Sequence, residues 1–268
     1  MNKITIKHYI KPKQIIHRFG MEYLTVKQMI SKNLDFGNAS KMSEKLFEIY
    51  ANSKTNQDVK NHMVNFLNPF YKHNKQRADK YFQERKVYNL KMMDVGNKMV
   101  SKLQDLSKEH GLNAEFRMTS SLNADVNLVG DSDIDISMLV DGCTFEVAVE
   151  ISKYLAKLQF VYRKFVNPVQ PLNCYYSFTM IENEVEFEVK LRDAKSSQKV
   201  IQLHEHIETK LQYWERAAIT YGKLVFKELS KKSTTLDTEK YAFILFKKLV
   251  YDMYFAEIEG CFLFELHY

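Results

Sequence analysis

The chain reads Met118-Thr119-Ser120-Ser121-Leu122-Asn123-Ala124-Asp125-Val126-Asn127-Leu128-Val129-Gly130-Asp131-Ser132-Asp133-Ile134-Asp135-Ile136-Ser137-Met138-Leu139 at the point where its texture changes. Residues 121–132 are small and polar and read as a loop. From Asp133 to Leu139 the pattern alternates and reads as a strand. Side chains alternate across a strand, so Asp133 and Asp135 share one face while Ile134 and Ile136 point into a core. Two carboxylates held side by side repel each other, and a divalent cation is the usual remedy.

A second acidic strand lies downstream. Tyr175–Ile181 and Val185–Leu191 read as a hairpin about residues 182–184. In its second arm Glu186, Glu188 and Lys190 fall on one face, and Val185, Phe187, Val189 and Leu191 on the other. If this arm lies beside the Asp strand, one Glu completes a three-carboxylate site of the kind two-metal phosphoryl transfer uses. Both Glu188 and Glu186 are candidates. A calcium loop is excluded, since Ile136 and Gly142 stand where its sixth-position Gly and twelfth-position Glu are required.

Working outward, Ala114–Met118 reads as a short strand, 144–158 as a helix and 160–166 as a third strand. On the N-terminal side a helix is expected over 39–66, with Met42, Leu46 and Ile49 on one face and a break at Asn68-Pro69. A long helix over 73–106 follows, interrupted only by Gly96. Its basic part, from Lys72 to Lys91, interleaves Tyr81, Phe82 and Tyr88; it fits either a nucleic-acid track or an ordinary solvated face. Helices near 198–213, 214–231 and 238–258 complete the chain. The fold expected is α+β: a helical region 1–111 with a long helix, a small mixed-sheet core 112–196, and a helical region 197–268.

These residues resemble a family. The DNA polymerase β-like nucleotidyltransferases carry Gly-Ser, about a dozen residues, acid-hydrophobic-acid, then a third acid on a later strand. Here Ser120-Ser121 precede Asp133-Ile134-Asp135 by the eleven residues 122–132, and Ser132-Asp133 matches the Ser-Asp-x-Asp form. The resemblance implies that Asp133 and Asp135 hold Mg²⁺ or Mn²⁺ shared with nucleotide phosphates. It makes Ser120 and Ser121 nucleotide-binding and Glu188 the third acid, with Glu186 the alternative. Ser120 stands where the family has Gly, which normally lets the backbone approach the phosphates.

The later helices resemble noncanonical poly(A) polymerases and terminal uridylyltransferases. Lys227 and Lys231, one turn apart, would face the triphosphate, and Tyr241, opening the next helix, would stack on the base. Glu239-Lys240 replaces the Ser-Ser common before that Tyr. The resemblance covers about residues 112–245. It implies a metal-dependent enzyme that moves an NMP from an NTP to a hydroxyl, with single-stranded RNA 3′ ends as acceptor. Two alternatives share the core: a primer-independent oligonucleotide-messenger synthase, and a catalytically degenerate RNA-binding subunit.

The bulk numbers agree with such partners. Lys and Arg number 39 against 33 Asp and Glu, a net charge of +6, which favours polyanions. Apolar residues at 45% exclude a disordered chain. No run of 18 apolar residues appears, so no membrane span is expected. Cys143, Cys174 and Cys261 form neither a disulfide framework nor a CxxC metal site, which fits a reducing, cytoplasmic setting. Residues 1–21 are basic with no acid, a weak match to an organelle-targeting segment. His204-Glu205-His206 is too tightly spaced for the two-turn zinc helix and reads as a solvated helical segment. The apolar stretch 261–266 has no assigned role.

Overall fold

A computed structural model describes residues 35–119, 121–130, 133–166, 175–183, 185–233 and 238–256. The fold is α+β. The elements are α1 (Phe36–Asn52), α2 (Asn56–Glu84), α3 (Lys86–Glu109), β1 (Ala114–Met118), β2 (Ile134–Val140), α4 (Phe145–Leu155) with a 3₁₀ turn at Ala156–Leu158, β3 (Val161–Val166), β4 (Tyr175–Glu182), β5 (Val185–Asp193), α5 (Gln198–Lys210), α6 (Tyr213–Lys232) and α7 (Thr238–Phe255).

The five strands form one mixed sheet ordered β1-β2-β5-β4-β3. β5 pairs parallel with β2, and the other neighbours are antiparallel. The hairpin β4–β5 turns at Asn183, whose φ of 50° is a left-handed conformation that Asn tolerates. This return carries β5 into the sheet's interior beside the Asp strand. The apolar sides of β2 and β5 are sealed: Ile134, Ile136, Val189 and Leu191 are all fully buried.

The N-terminal helices differ from the expected breaks. α1 ends at Asn52, and α2 begins at Asn56 and runs straight through Pro69. The physical reason is a capping box. Thr55 accepts from the Asp58 N–H, and the Asp58 carboxylate accepts from the Thr55 N–H. Pro69 is exposed, so the carbonyl it leaves without an amide donor can turn to water. The expected long helix over 73–106 is two helices meeting at Arg85. Gly96 does not interrupt α3. A Cβ there would stand 2.4 Å from Met118 Sδ, so the glycine lets α3 lie close on β1.

The buried apolar residues form two clusters that do not follow chain order. One joins α1 and α2 to α5, α6 and α7 and includes Ala124, Val126 and Leu128. The other packs α3 and α4 on the sheet. Tyr81 and Phe82 belong to the first and Tyr88 to the second. All three are at most 3% exposed. The aromatics interleaved in the basic run are therefore core residues and offer no stacking platform.

Strand β3 closes one edge of the sheet. Val161, Tyr162 and Phe165 are exposed there, and the pairing register shifts between Tyr162 and Lys164. Among the described residues no helix is long and apolar enough to cross a membrane.

Candidate metal and nucleotide site

Asp133 stands just ahead of β2 and Asp135 is the second residue within it. In the parallel pairing Asp135 is directly opposite Glu188 of β5. One carboxylate oxygen from each of Asp133, Asp135 and Glu188 lies within 4.8 Å of the other two. Glu186, the alternative, is not in this group; its nearest ion contact is Arg163 Nη1 of β3 at 3.5 Å. The sheet thus converts the two-residue alternation of separate strands into one convergent cluster.

The cluster is tightly bounded. Lys190 Nζ is 2.8 Å from Asp135 Oδ1 and 3.6 Å from Glu188 Oε2. The Ser177 hydroxyl of β4 donates to Glu188 Oε1, and Arg163 Nη1 approaches that oxygen at 3.9 Å. Burial pushes the Asp135 carboxyl up to about 6, against the pull of Lys190 and with the added push of Asp133. Burial acts upward on Glu188 too, but Lys190, Ser177 and Arg163 together hold it below the usual glutamate range. Glu186 is raised by burial and by Asp133. Of the two glutamates, Glu188 is the one held toward its ionised form.

Whether a divalent ion fits can be judged from the donors. All three are carboxylates, the hard oxygen ligands that Mg²⁺ and Mn²⁺ take. Asp135 Oδ1 is buried and has no partner in hydrogen-bonding geometry among the described residues, despite the nearby ammonium. Three carboxylates against one lysine leave an excess of negative charge. The set fits such an ion.

The helical side approaches the cluster through Lys247 of α7. Its ammonium is lowered by burial and raised back by Asp133 and Asp135, which places it within their field. The Tyr251 hydroxyl, one turn further on, is raised by burial and by the same two aspartates. Lys227 and Lys247 both lie over the Phe243 ring, at 5.4 and 4.7 Å from its centre. Lys227 thus shares the Phe243 ring with Lys247. Lys231 instead forms an exposed ion pair with Glu228 at 3.0 Å. Tyr241 is half-buried in the first turn of α7. The Ser230 hydroxyl fixes that turn against the end of α6, donating to the Glu239 carbonyl and accepting from the Phe243 N–H.

The loop before the aspartates is the main departure from the sequence reading. It is a loop, but a buried one: Leu122, Ala124, Val126, Asn127, Leu128 and Val129 are each at most 7% exposed. Cations from the helices hold its backbone. Arg85 donates to the Asp125 carbonyl and to Asn127 Oδ1, and pairs with Asp125 Oδ1 at 2.9 Å. Arg216 donates to the Ala124 carbonyl, and Lys223 Nζ to the Val126 carbonyl at 2.9 Å. At its start the Thr119 N–H bonds the Asp135 carbonyl, and the Ser121 carbonyl accepts from Val126 N–H. Ser121 therefore opens a turn pinned to the Asp strand. Ser120 lies outside the described residues, as do Ser132, residues 1–34, Cys174 and the apolar stretch 261–266.

Comparison with known proteins gave no match to a family model, to a curated protein or to a solved structure.

Sequence reasoning missed Lys247, Lys223, Arg85 and Arg163. A lysine at an apolar position of a helical stripe was the available signal for Lys223, which is buried on α6 among Thr220, Leu224 and Val225. His204 also departs from the solvated reading: it is half-buried, and burial with Arg192 and Lys190 nearby pushes its imidazole down to about 4.

Proposed function

We propose that this chain is a metal-dependent nucleotidyltransferase that moves a nucleoside monophosphate from an NTP to a hydroxyl, with an RNA 3′ end as the acceptor. The observation that carries the reading is the convergence of Asp133, Asp135 and Glu188 at two parallel strands, with Lys247 of the helical side in their field.

In the reaction the acceptor oxygen forms a bond to the α-phosphorus while the bond from that phosphorus to the bridging oxygen breaks, and pyrophosphate leaves. Asp133, Asp135 and Glu188 would hold Mg²⁺ or Mn²⁺, which when bound neutralises charge on the phosphates. Glu188, kept ionised by Lys190 and Ser177, accepts the proton of the attacking hydroxyl. Lys247, in the field of the aspartates, and Lys227, which shares the Phe243 ring with it, neutralise the triphosphate. Ser121 donates to it from the pinned loop, and Tyr241 stacks on the base.

The test is incorporation of each labelled NTP with Mg²⁺ or Mn²⁺, with and without single-stranded RNA, beside Asp133→Ala. Primer elongation lost in the variant supports the RNA-tailing reading and identifies the base. Product formed without primer points to the messenger-synthase chemistry. No product from any NTP counts against catalysis and favours the degenerate RNA-binding reading.

A further inference from the structure

We propose that the Lys190 ammonium fills one of the two cation positions of the carboxylate cluster, so that the site takes one divalent ion where two would otherwise sit. The inference rests on the reading of Asp133, Asp135 and Glu188 as metal ligands and concerns how many ions they take.

The placement follows from the sheet. Lys190 lies two residues beyond Glu188 on β5 and so shares its face. Its direct neighbours are Ser137 on β2 and Ser177 on β4. Both are small, so the lysine stem can lie back along the sheet toward the acids. Nζ arrives between two of the three ligands, 2.8 Å from Asp135 and 3.6 Å from Glu188. Such distances are those of contact ion pairs, and they put a full positive charge where a cation bridging these two carboxylates would be. The Tyr175 ring stands behind, its centre 5.8 Å from Nζ, with Arg192 over the same ring at 4.5 Å. Arg192 opposes withdrawal of the ammonium in that direction by like-charge repulsion. The lysine side chain is only 18% exposed, so leaving the cluster would bury its charge without a partner or require a path to solvent.

Charge agrees. Arg163 is offset by Glu186 at 3.5 Å; the three cluster carboxylates carry three negative charges, and Lys190 and one divalent ion carry three positive. A second divalent ion would have to bind a neutral cluster beside an ammonium. Asp133, which forms no ion pair with Lys190 among the described residues, is the acid least engaged by the ammonium and would hold the single ion with the other two.

The experiment counts Mn²⁺ on the full chain by calorimetry and electron paramagnetic resonance. It is run with Mn²⁺ alone and with the α,β-methylene analogue of ATP, for the parent and for Lys190→Met. The parent should bind one ion and give a mononuclear spectrum in both conditions. Lys190→Met should bind two with the analogue and show the coupled spectrum of a dinuclear centre. Two ions on the parent, or one on a folded Lys190→Met, overturns the proposal while the metal site stands. No Mn²⁺ on the parent in either condition overturns the metal reading and this proposal with it. Should Lys190→Met fail to fold, the parent stoichiometry still decides.

Discussion

Arg85, fully buried at the joint of α2 and α3, pairs with Asp125 across 2.9 Å, and Asp125 holds a φ of 56°. One ion pair therefore connects the helical cluster to the loop that precedes the strand of Asp135. Removing the acid leaves a buried guanidinium with only neutral acceptors. Asp125→Ala should cost about 3 kcal/mol, the lower end for a broken buried pair because Asp125 is itself partly exposed. Asparagine tolerates the left-handed backbone and still accepts from Arg85, so Asp125→Asn should cost about 1 kcal/mol. Urea melts of the two variants give the comparison; equal losses would show that the carboxylate charge, lost in both, dominates over the acceptor and the backbone conformation.

Lys223 gives a prediction about pH. Burial pushes its ammonium down to about 7, with Lys247 and Arg85 adding repulsion. The unfolded chain holds that proton up to about 10.5. Between these values the unfolded state binds more protons, so this residue makes stability rise with pH. The slope is at most about 1.4 kcal/mol per pH unit for one proton. The penalty is complete below pH 7 and gone above the unfolded value. Relative to Lys223→Met, the parent should gain stability between pH 7 and pH 9 in denaturant melts. Parallel profiles would mean that the lysine stays charged against the Val126 carbonyl.

The two candidate third acids should separate cleanly. Glu188→Gln removes the carboxylate that faces Asp135 and should lower Mn²⁺ affinity by about 100-fold, near 3 kcal/mol. Glu186→Gln leaves the cluster whole and removes a nearby negative charge in a half-exposed position, so affinity should fall by less than about fivefold, under 1 kcal/mol. Calorimetric titration of both variants tests the order, and a larger loss in Glu186→Gln would reassign the ligand.

The lysines divide in the same way. Lys247→Ala should raise the KM for NTP by about tenfold, roughly 1.4 kcal/mol, whereas Lys231→Ala, which removes only an exposed pair with Glu228, should leave KM within about twofold. Steady-state incorporation measures both.

Two glycines serve close packing and differ in tolerance. At Gly222 a Cβ would stand 2.5 Å from Phe246 Cζ, where α6 crosses α7, and a ring cannot yield by bending. Gly222→Ala should therefore cost about 2 kcal/mol even after the helix-propensity gain. At Gly96 the obstacle is the flexible Met118 thioether, so Gly96→Ala should be close to neutral. Thermal melts rank the two.

The site's acids were legible in the sequence because strand alternation is local: Asp133 and Asp135 share a face wherever the strand goes. That Glu188 rather than Glu186 meets them depends on the β2–β5 register, which the alternation of either strand leaves open. Helices α4 to α7 were visible from periodicity to within a few residues. The break at residues 53–55 was hidden because Asn68-Pro69 is the louder signal, while Thr55 and Asp58 act through side-chain bonds. Arg85, Arg216 and Lys223 were invisible as a group, since each lies far along the chain from the loop carbonyls it reaches.

The irregular edge strand β3 bears on self-association. A straight outer strand offers a continuous row of amides to any similar strand that drifts past. Here the shifted register between Tyr162 and Lys164 bends that row, and Lys164 adds a positive charge, while Arg163 turns to Glu186 and Glu188. A second copy would have to match a kink and oppose a like charge at once. This edge of the sheet thereby resists growing outward into a stack of chains, although Val161, Tyr162 and Phe165 leave apolar surface there.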